Sequence, residues 1–516
     1  MKLKIIISTL FILSLFFAFQ ACNISSSGTS GEWKKCEDTT RIDESAECRS
    51  FNVPLDYRNP REGTISISAF RYVNSENAKA QIWFLEGGPG GSGRLLSRTM
   101  LQLDKYYPTF DYYSLDHRGV GLSTRFGCED DNNIGDDWDA YRSCYEALED
   151  EWGENIKMFS TTNAARDIHE VLKRSKEEGK KVFIWGTSYG TYWLLRYLQL
   201  YPNVVDGVIL DSICTPGHCY LDNYDKWNDM VGTQFLQLCE EDAVCHEKMA
   251  TVAATPVEAF DAVFSKVDDG TLPEGCNDYF TKDSLRHTLG VMLNNWSIRM
   301  LAPALVYRLN RCNAEDQEAI EFYLDQQNGA AVDRTLLNSP MLCDLVSLSE
   351  LNSGNSSDDL GEFLEGSHFG EDASYRFTLL NEMDIWDTYK DLKYAQKLPE
   401  TDIPLLMLNG TTDPQTPIEI AGKIIGHFSG AHQHFVTVPF STHGVLVNSP
   451  ITPPAWALGG QEQTCGSLIL GQFLNDPTGI LDTSCTEDVY PVDFNSDTDN
   501  NKLISTKAFG TENMWE

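Results

Sequence analysis

Hydrophobic and polar positions fall into two regimes along the chain. Ala80–Leu85 (Ala-Gln-Ile-Trp-Phe-Leu) is a short, largely apolar, β-prone run, and Phe110–Leu115 is a second. Thr162–Ser175 sets Ile168, Val171 and Leu172 on one face at helical spacing. Lys181–Trp185 predicts a buried strand, Thr191–Leu200 an apolar helix after it, and Val204–Leu210 the next strand. The alternation resumes at Ile403–Leu408 and Phe435–Pro439. Strands alternating with helices predict an α/β fold, a mostly parallel sheet with helices on both faces. From about residue 213 to 395 strand signals fade, and helical stretches such as Asp283–Leu309 dominate. A helical cap inserted into an α/β core is the simplest organisation, lying over the strand carboxyl ends where such sheets bind ligands. The core then spans 36–212 and 396–490, the cap 213–395, and a polar, loosely ordered tail 491–516.

Residues 1–21 carry two lysines, an uncharged apolar run and small residues before Cys22, the layout of a secretory signal peptide. Residues 22–35 read as a flexible tether. Cys22 after Ala21 resembles the lipobox of bacterial lipoproteins, which implies a lipid tether to the cell envelope. Phe19 and Gln20 depart from the usual lipobox residues, and ordinary secretion is the alternative. The remaining cysteines agree with export. Most fall in sequence-near pairs, 36/48, 128/144, 214/219, 239/245 and 465/485, as in a disulfide framework. Thirteen cysteines without Cys22 leave one free thiol, expected among Cys276, Cys312 and Cys343.

Charge narrows the partners. Forty Lys+Arg against 76 Asp+Glu give −36, a field that repels phosphate backbones and disfavours nucleic acid. No cysteine or histidine spacing reads as a metal site. Asp493-x-Asn495-x-Asp497-x-Asp499 alternates oxygen ligands but lacks the glycine and closing glutamate of a calcium loop. Neither metal nor cofactor is expected.

Three motifs carry chemistry. Gly186-x-Ser188-x-Gly190 stands between a strand and a helix, the context of a nucleophile elbow, with the Tyr189 N–H at the helix start facing a developing oxyanion. The glycine-rich turn 86–93 leaves backbone N–H groups uncovered, and Gly88 is the expected second oxyanion donor. It lacks the lysine that a phosphate loop needs. Asp413 follows one late strand and His443 the next, which suits the orienting acid and general base of Ser188 in the order Ser, Asp, His. His432 and His434 precede that last strand and lie at its wrong end. Arg118 is expected to tie down its turn, and His117 and His169 to serve packing or surface roles.

With these residues in place the chain resembles the prolyl iminopeptidase and tripeptidyl aminopeptidase branch of the α/β-hydrolase fold. The resemblance rests on Gly87-Gly88-Pro89-Gly90-Gly91-Ser92-Gly93, Asp116-x-Arg118-Gly119-x-Gly121-x-Ser123, Gly186-x-Ser188-Tyr189-Gly190, Gly410-x-x-Asp413-x-x-Thr416-Pro417 and His443-Gly444. Cys465, Phe473-Leu474-x-Asp476-Pro477 and Cys485 resemble the C-terminal region of secreted tripeptidyl aminopeptidases. Glu86 departs from the histidine that many relatives carry before the glycines. The resemblance implies an exported serine exopeptidase acting on peptides with a free N-terminus through an acyl-enzyme on Ser188, with carboxylates of the cap holding the substrate ammonium. Glu240, Glu241 and Asp242 are candidates for that role. A serine carboxylesterase or lipase with the same triad is the alternative, and a non-catalytic binding protein has no use for an intact Ser188, Asp413 and His443.

Overall fold

The computed structural model describes residues 31–73, 78–129, 131–135, 137–329, 337–452 and 463–516. The expected signal segment and Cys22 lie outside the described residues. Nine strands build one sheet: β1 (Lys34–Lys35), β2 (Glu47–Pro54), β3 (Thr64–Tyr72), β4 (Ala80–Leu85), β5 (Phe110–Leu115), β6 (Lys181–Ser188), β7 (Gly207–Ile213), β8 (Leu405–Gly410) and β9 (Gln433–Val438). Their order is β1-β2-β3-β5-β4-β6-β7-β8-β9. The six strands from β5 to β9 in that order run parallel, and β1–β3 add an antiparallel edge. Chain direction across the sheet reverses between β4 and β6, so a crevice opens at their carboxyl ends.

Strands β4, β5, β7 and β8 are buried throughout, because helices cover both faces. Trp83 and Leu85 of β4 point into one core with Ile184 and Leu210; Ile82 and Phe84 point into the other with Trp185 and Leu408. Helices α1 (Ser97–Tyr106), α2 (Trp138–Trp152), α3 (Thr161–Ser175) and α4 (Tyr189–Leu200) belong to the first half of this framework. Each fully buried large apolar side chain contributes about 1.5–3 kcal/mol over an exposed one.

Between β7 and β8 the described residues form no strand. Helices α5 (Tyr224–Glu241), α6 (Ala243–Met249), α7 (Pro256–Asp268), α8 (Lys282–Asn294), α9 (Leu301–Arg311), α10 (Ala314–Gly329), α11 (Pro340–Glu350), α12 (Ser357–Gly366) and α13 (Ala373–Glu382) follow one another there. The expected single stretch over 283–309 is two helices, α8 and α9, because Asn295–Met300 form a turn in which Asn295 accepts the Ser297 N–H and hydroxyl. After β8 come α14 (Ile418–Ala421) and α15 (Cys465–Asn475), and finally α16 (Asp499–Phe509).

Helix α16 corrects the expectation of a loose tail. Phe494, Ile504, Phe509, Met514 and Trp515 are buried in the apolar core of the cap, beside Leu301, Leu305 and Tyr323. Arg308 of α9 donates to the carbonyls of Asn513 and Glu516 at 2.8 and 2.7 Å. Polar residues outnumber these anchors in the sequence, but the anchors decide the packing. Disulfides join 36–48, 128–144, 214–219, 239–245, 465–485 and 276–312, leaving Cys343 as the free thiol. Among the described residues no helix is long and apolar enough to cross a membrane.

Candidate active site

The elbow forms because two glycines permit a backbone approach that no side chain allows. A Cβ on Gly186 would meet the Gly190 carbonyl at 2.5 Å, and one on Gly190 would meet the Leu85 carbonyl at 2.5 Å. Ser188 ends β6 with φ 55° and ψ −130°, a strained setting that projects its side chain from the sheet. The Thr191 hydroxyl clamps the turn, donating to the Ser188 carbonyl at 2.6 Å and accepting the Cys214 N–H at 2.9 Å. Tyr189 opens α4, so its N–H is among the helix's unsatisfied donors.

Asp413 and His443 leave the ends of β8 and β9, which pair in register up to Gly410 and Val438. His443 Nδ1 lies 3.0 Å from both carboxylate oxygens of Asp413. Asp413 is fully buried and also accepts the N–H groups of Gln415 and Thr416 and the Thr416 hydroxyl. Burial opposes its ionisation, but the His443 charge and these donors outweigh burial and hold the carboxyl below its ordinary value. Burial likewise opposes a charged imidazole at His443, and the Asp413 carboxylate, with Asp211 and Glu86 behind it, raises His443 above its ordinary value.

Ser188, Gly88, Tyr189 and Thr416 line one cavity of about 40 Å³, closed by Tyr224 and Leu351 of the cap and by the Cys214–Cys219 disulfide. Thr416 also contacts His443 Nδ1 at 3.3 Å, so the cavity connects the serine to the Asp413–His443 pair. Ser188 Oγ has no hydrogen bond among the described residues. Gly88 adopts φ +111°, a conformation that suits glycine alone. The turn is braced by Asp116, which accepts the Ser92 hydroxyl at 2.5 Å and the Gly93 N–H at 3.0 Å.

Several supporting residues escaped sequence reasoning. Strand β7 runs to Ile213, three residues beyond the expected end, and so carries Asp211 and Ser212 beneath the His443 loop. Asp211 accepts the N–H groups of Val445 and Leu446 at 2.8 and 2.9 Å, and the Ser212 hydroxyl accepts the Gly444 N–H at 2.7 Å. Burial pushes the Asp211 carboxyl up to about 6. Arg299, from the α8–α9 turn, donates to the Thr412 hydroxyl at 2.6 Å and the Phe440 carbonyl at 2.5 Å. A carboxylate of the cap, Glu371, accepts a hydrogen bond from Asn294. It lies near the Tyr224 phenol, which burial pushes well up and the Glu371, Asp225 and Asp413 charges push further. Glu86, which the sequence already set apart, accepts the Gly87 N–H at 2.8 Å, within the field of His443. Spacing along one segment does not reveal partners that sit hundreds of residues away.

Other candidates have structural roles. Asp242 caps α6 through the Val244 and Cys245 N–H groups, and Glu240 faces His246 at 3.3 Å. Both lie at the far end of α5 from Tyr224, about 25 Å along the helix. Arg118 is buried in a double hydrogen bond with Asp167 at 2.7 Å and ties Leu55 and Met158 carbonyls to its turn. His117 is buried with Nε2 3.3 Å from the Tyr189 phenol, and burial pulls it down to about 3. His434 lies near the start of β9, at the opposite end from His443. Asp493 and Asn495 accept the N–H groups of Asn495 and Asp497, so their oxygens shape a turn. Among the described residues no three His, Cys, Asp or Glu side chains cluster as a metal site would require.

Comparison with known proteins agrees with this fold. Residues 82–241 match the family model for the alpha/beta hydrolase fold, and residues 376–455 match that for TAP-like protein. The tripeptidyl aminopeptidase of Streptomyces coelicolor (strain ATCC BAA-471 / A3(2) / M145) is 29% identical over 210 residues. That of Streptomyces lividans is 30% identical over 209 residues. Each match covers 36% of this chain and 38% of the relative. A carboxyl esterase from Bacillus coagulans, solved in complex with glycerol, aligns with 79% of this chain and 93% of its own at 14% identity and a TM-score of 0.33, a likeness too distant to build on. The sheet order and the matched regions show an α/β-hydrolase fold whose later part, residues 376–455, is similar to TAP-like protein.

Proposed function

We propose that this chain is an exported serine aminopeptidase, releasing proline-type residues or short di- or tripeptides from peptide N-termini. The observation that carries the reading is the buried Asp413–His443 pair, joined through Thr416 to the cavity onto which elbow residue Ser188 opens. Ser188 Oγ attacks the scissile carbonyl carbon while His443 Nε2 takes the hydroxyl proton. The Gly88 and Tyr189 N–H groups receive the oxyanion, each donor lowering the barrier by about 2.7–4 kcal/mol. Asp413 holds the tautomer with Nδ1 protonated and stabilises the imidazolium. The C–N bond then breaks, His443 returns the proton to the leaving amine, and an acyl-enzyme remains. A water, deprotonated by His443, releases the N-terminal fragment and restores Ser188.

The similarity to tripeptidyl aminopeptidases supports peptides as substrates. This reading assigns the substrate ammonium to Glu371, whose charge acts on the Tyr224 phenol, or to Glu86 in the glycine turn. Six disulfides support an oxidising compartment. Covalent labelling with a fluorophosphonate tests the nucleophile. The Ser188 oxygen displaces fluoride, so the wild-type chain gains one phosphonyl group on residue 188 and Ser188→Ala gains none. A folded wild-type chain that stays unlabelled, or that labels elsewhere, refutes the assignment.

A further inference from the structure

A second cavity, of about 530 Å³, shares no lining residue with the one at Ser188. Its wall comes from three segments: Arg58, the turn and first residues around the start of α3, and residues 388–394. Five of its thirteen lining residues are cations: Arg58, Lys157, Arg166, Lys390 and Lys393. Only 40 of the chain's 516 residues are Lys or Arg, so thirteen average positions would hold about one. In a molecule of charge −36 this concentration is the reverse of the surrounding field.

The local charge does not cancel. Arg58 is answered by Asp56 at 3.2 Å, and Lys157 by Asp387 at 2.5 Å and Glu154 at 3.2 Å. Asp391, the one carboxylate in the wall, accepts the Thr162 hydroxyl and faces Arg196 at 3.6 Å, whose closer partner is Glu350 at 2.5 Å. Arg166, Lys390 and Lys393 form no ion pair among the described residues. Arg166 donates instead to the Asn163 side chain at 2.9 Å, and the Lys393 ammonium sits 4.7 Å from the centre of the Tyr394 ring. The cavity also receives the first turn of α3, whose N-terminal dipole favours negative charge. At physiological salt the chain's net field is screened beyond about 8 Å, so contact with these cations governs what enters.

We propose that this cavity binds a small polyanion, a molecule with two or more carboxylate or phosphate groups. The three unanswered cations, Arg166 of α3 and Lys390 and Lys393 of the 388–394 segment, need more than one anionic group to answer them, and the volume lies within the range of about 300–1,000 Å³ usual for small-molecule sites. The site is independent of the peptidase reading.

Calorimetric titration of the full chain tests it, with citrate and with pyrophosphate at ionic strength held constant by NaCl, and with acetate as the monoanion control. Saturable binding of one molecule per chain is expected, with a Kd below about 1 mM for citrate, pyrophosphate or both. Citrate alone identifies carboxylate chemistry and pyrophosphate alone phosphate chemistry. The variant Lys390→Gln/Lys393→Gln alters two exposed side chains and should keep the unliganded melting temperature while weakening binding at least about tenfold. Arg166→Gln gives a second reading of the same site. Absence of saturable binding by either polyanion, acetate binding as tightly, or an affinity unchanged in both variants overturns the proposal.

Discussion

Ser188 bears the strained backbone, His443 the adjustable proton and Asp413 the buried charge that orients it. In the proposed mechanism these three act as a unit, so removing one should remove most of the chemistry. Ser188→Ala is expected to lower kcat roughly 10⁴- to 10⁶-fold with an unchanged melting profile. Asp413→Asn should cost about 10⁴-fold, because the amide favours the wrong imidazole tautomer. Steady-state rates with circular dichroism check both. The pH profile carries a sign. His443 must be neutral to accept the serine proton, and its carboxylate neighbours Asp413, Asp211 and Glu86 raise its pKa. The acid limb of kcat/KM should therefore lie above the ordinary imidazole value of about 6.5. Asp211→Asn removes one of those charges, so the limb should move to lower pH; a limb that stays put or moves up contradicts the assignment. Residues at or just past strand ends, Ser188, Asp413 and His443, were legible because each follows a local apolar run. Asp211 was not, because its role depends on a loop 234 residues away.

Elements explain how the cap reaches the chemistry. The α8–α9 turn sends Arg299 into the core, where it touches Thr412 beside Asp413 and Phe440 three residues before His443. It has no carboxylate partner among the described ion pairs, and burial pulls it down to about 9. Arg299→Met leaves the Phe440 carbonyl and Thr412 hydroxyl short of a donor. It should lower unfolding free energy by about 1–3 kcal/mol and depress kcat more than it raises KM. Denaturant titration and steady-state kinetics report the two effects. An unaltered kcat with lowered stability would make the arginine a packing residue only. Parallel strands were legible as apolar runs, since both faces are buried. The antiparallel edge β2–β3 went unread: exposed and half-buried residues interrupt Glu47–Pro54, and no apolar run marks it.

The whole molecule sets the field in which substrates arrive. A charge of −36 attracts cationic peptides and repels acidic ones, with a reach of about 30 Å at 0.01 M salt and about 3 Å at 1 M. The ratio of kcat/KM for a lysine-containing peptide to that for its glutamate counterpart should fall as salt rises over this range. A salt-independent ratio would assign any preference to contacts inside the cavity. Alternation of elements revealed the α/β core and its helical insertion, and cysteine spacing revealed five bridges. The joining of the tail to the cap was hidden, because Phe494, Phe509 and Trp515 are dispersed among polar residues and declare themselves only by burial together.

The central claim, an aminopeptidase working through Ser188, is tested most directly with matched chromogenic Pro-, Ala- and Ala-Ala-Pro-amides. Each is offered with a free and with an acetylated N-terminus to the wild-type chain and to Ser188→Ala. Cleavage of the free-amine amides alone, abolished in the variant, is the predicted result, and the preferred substrate gives the number of residues released. Hydrolysis indifferent to acetylation, or confined to simple esters, would contradict it.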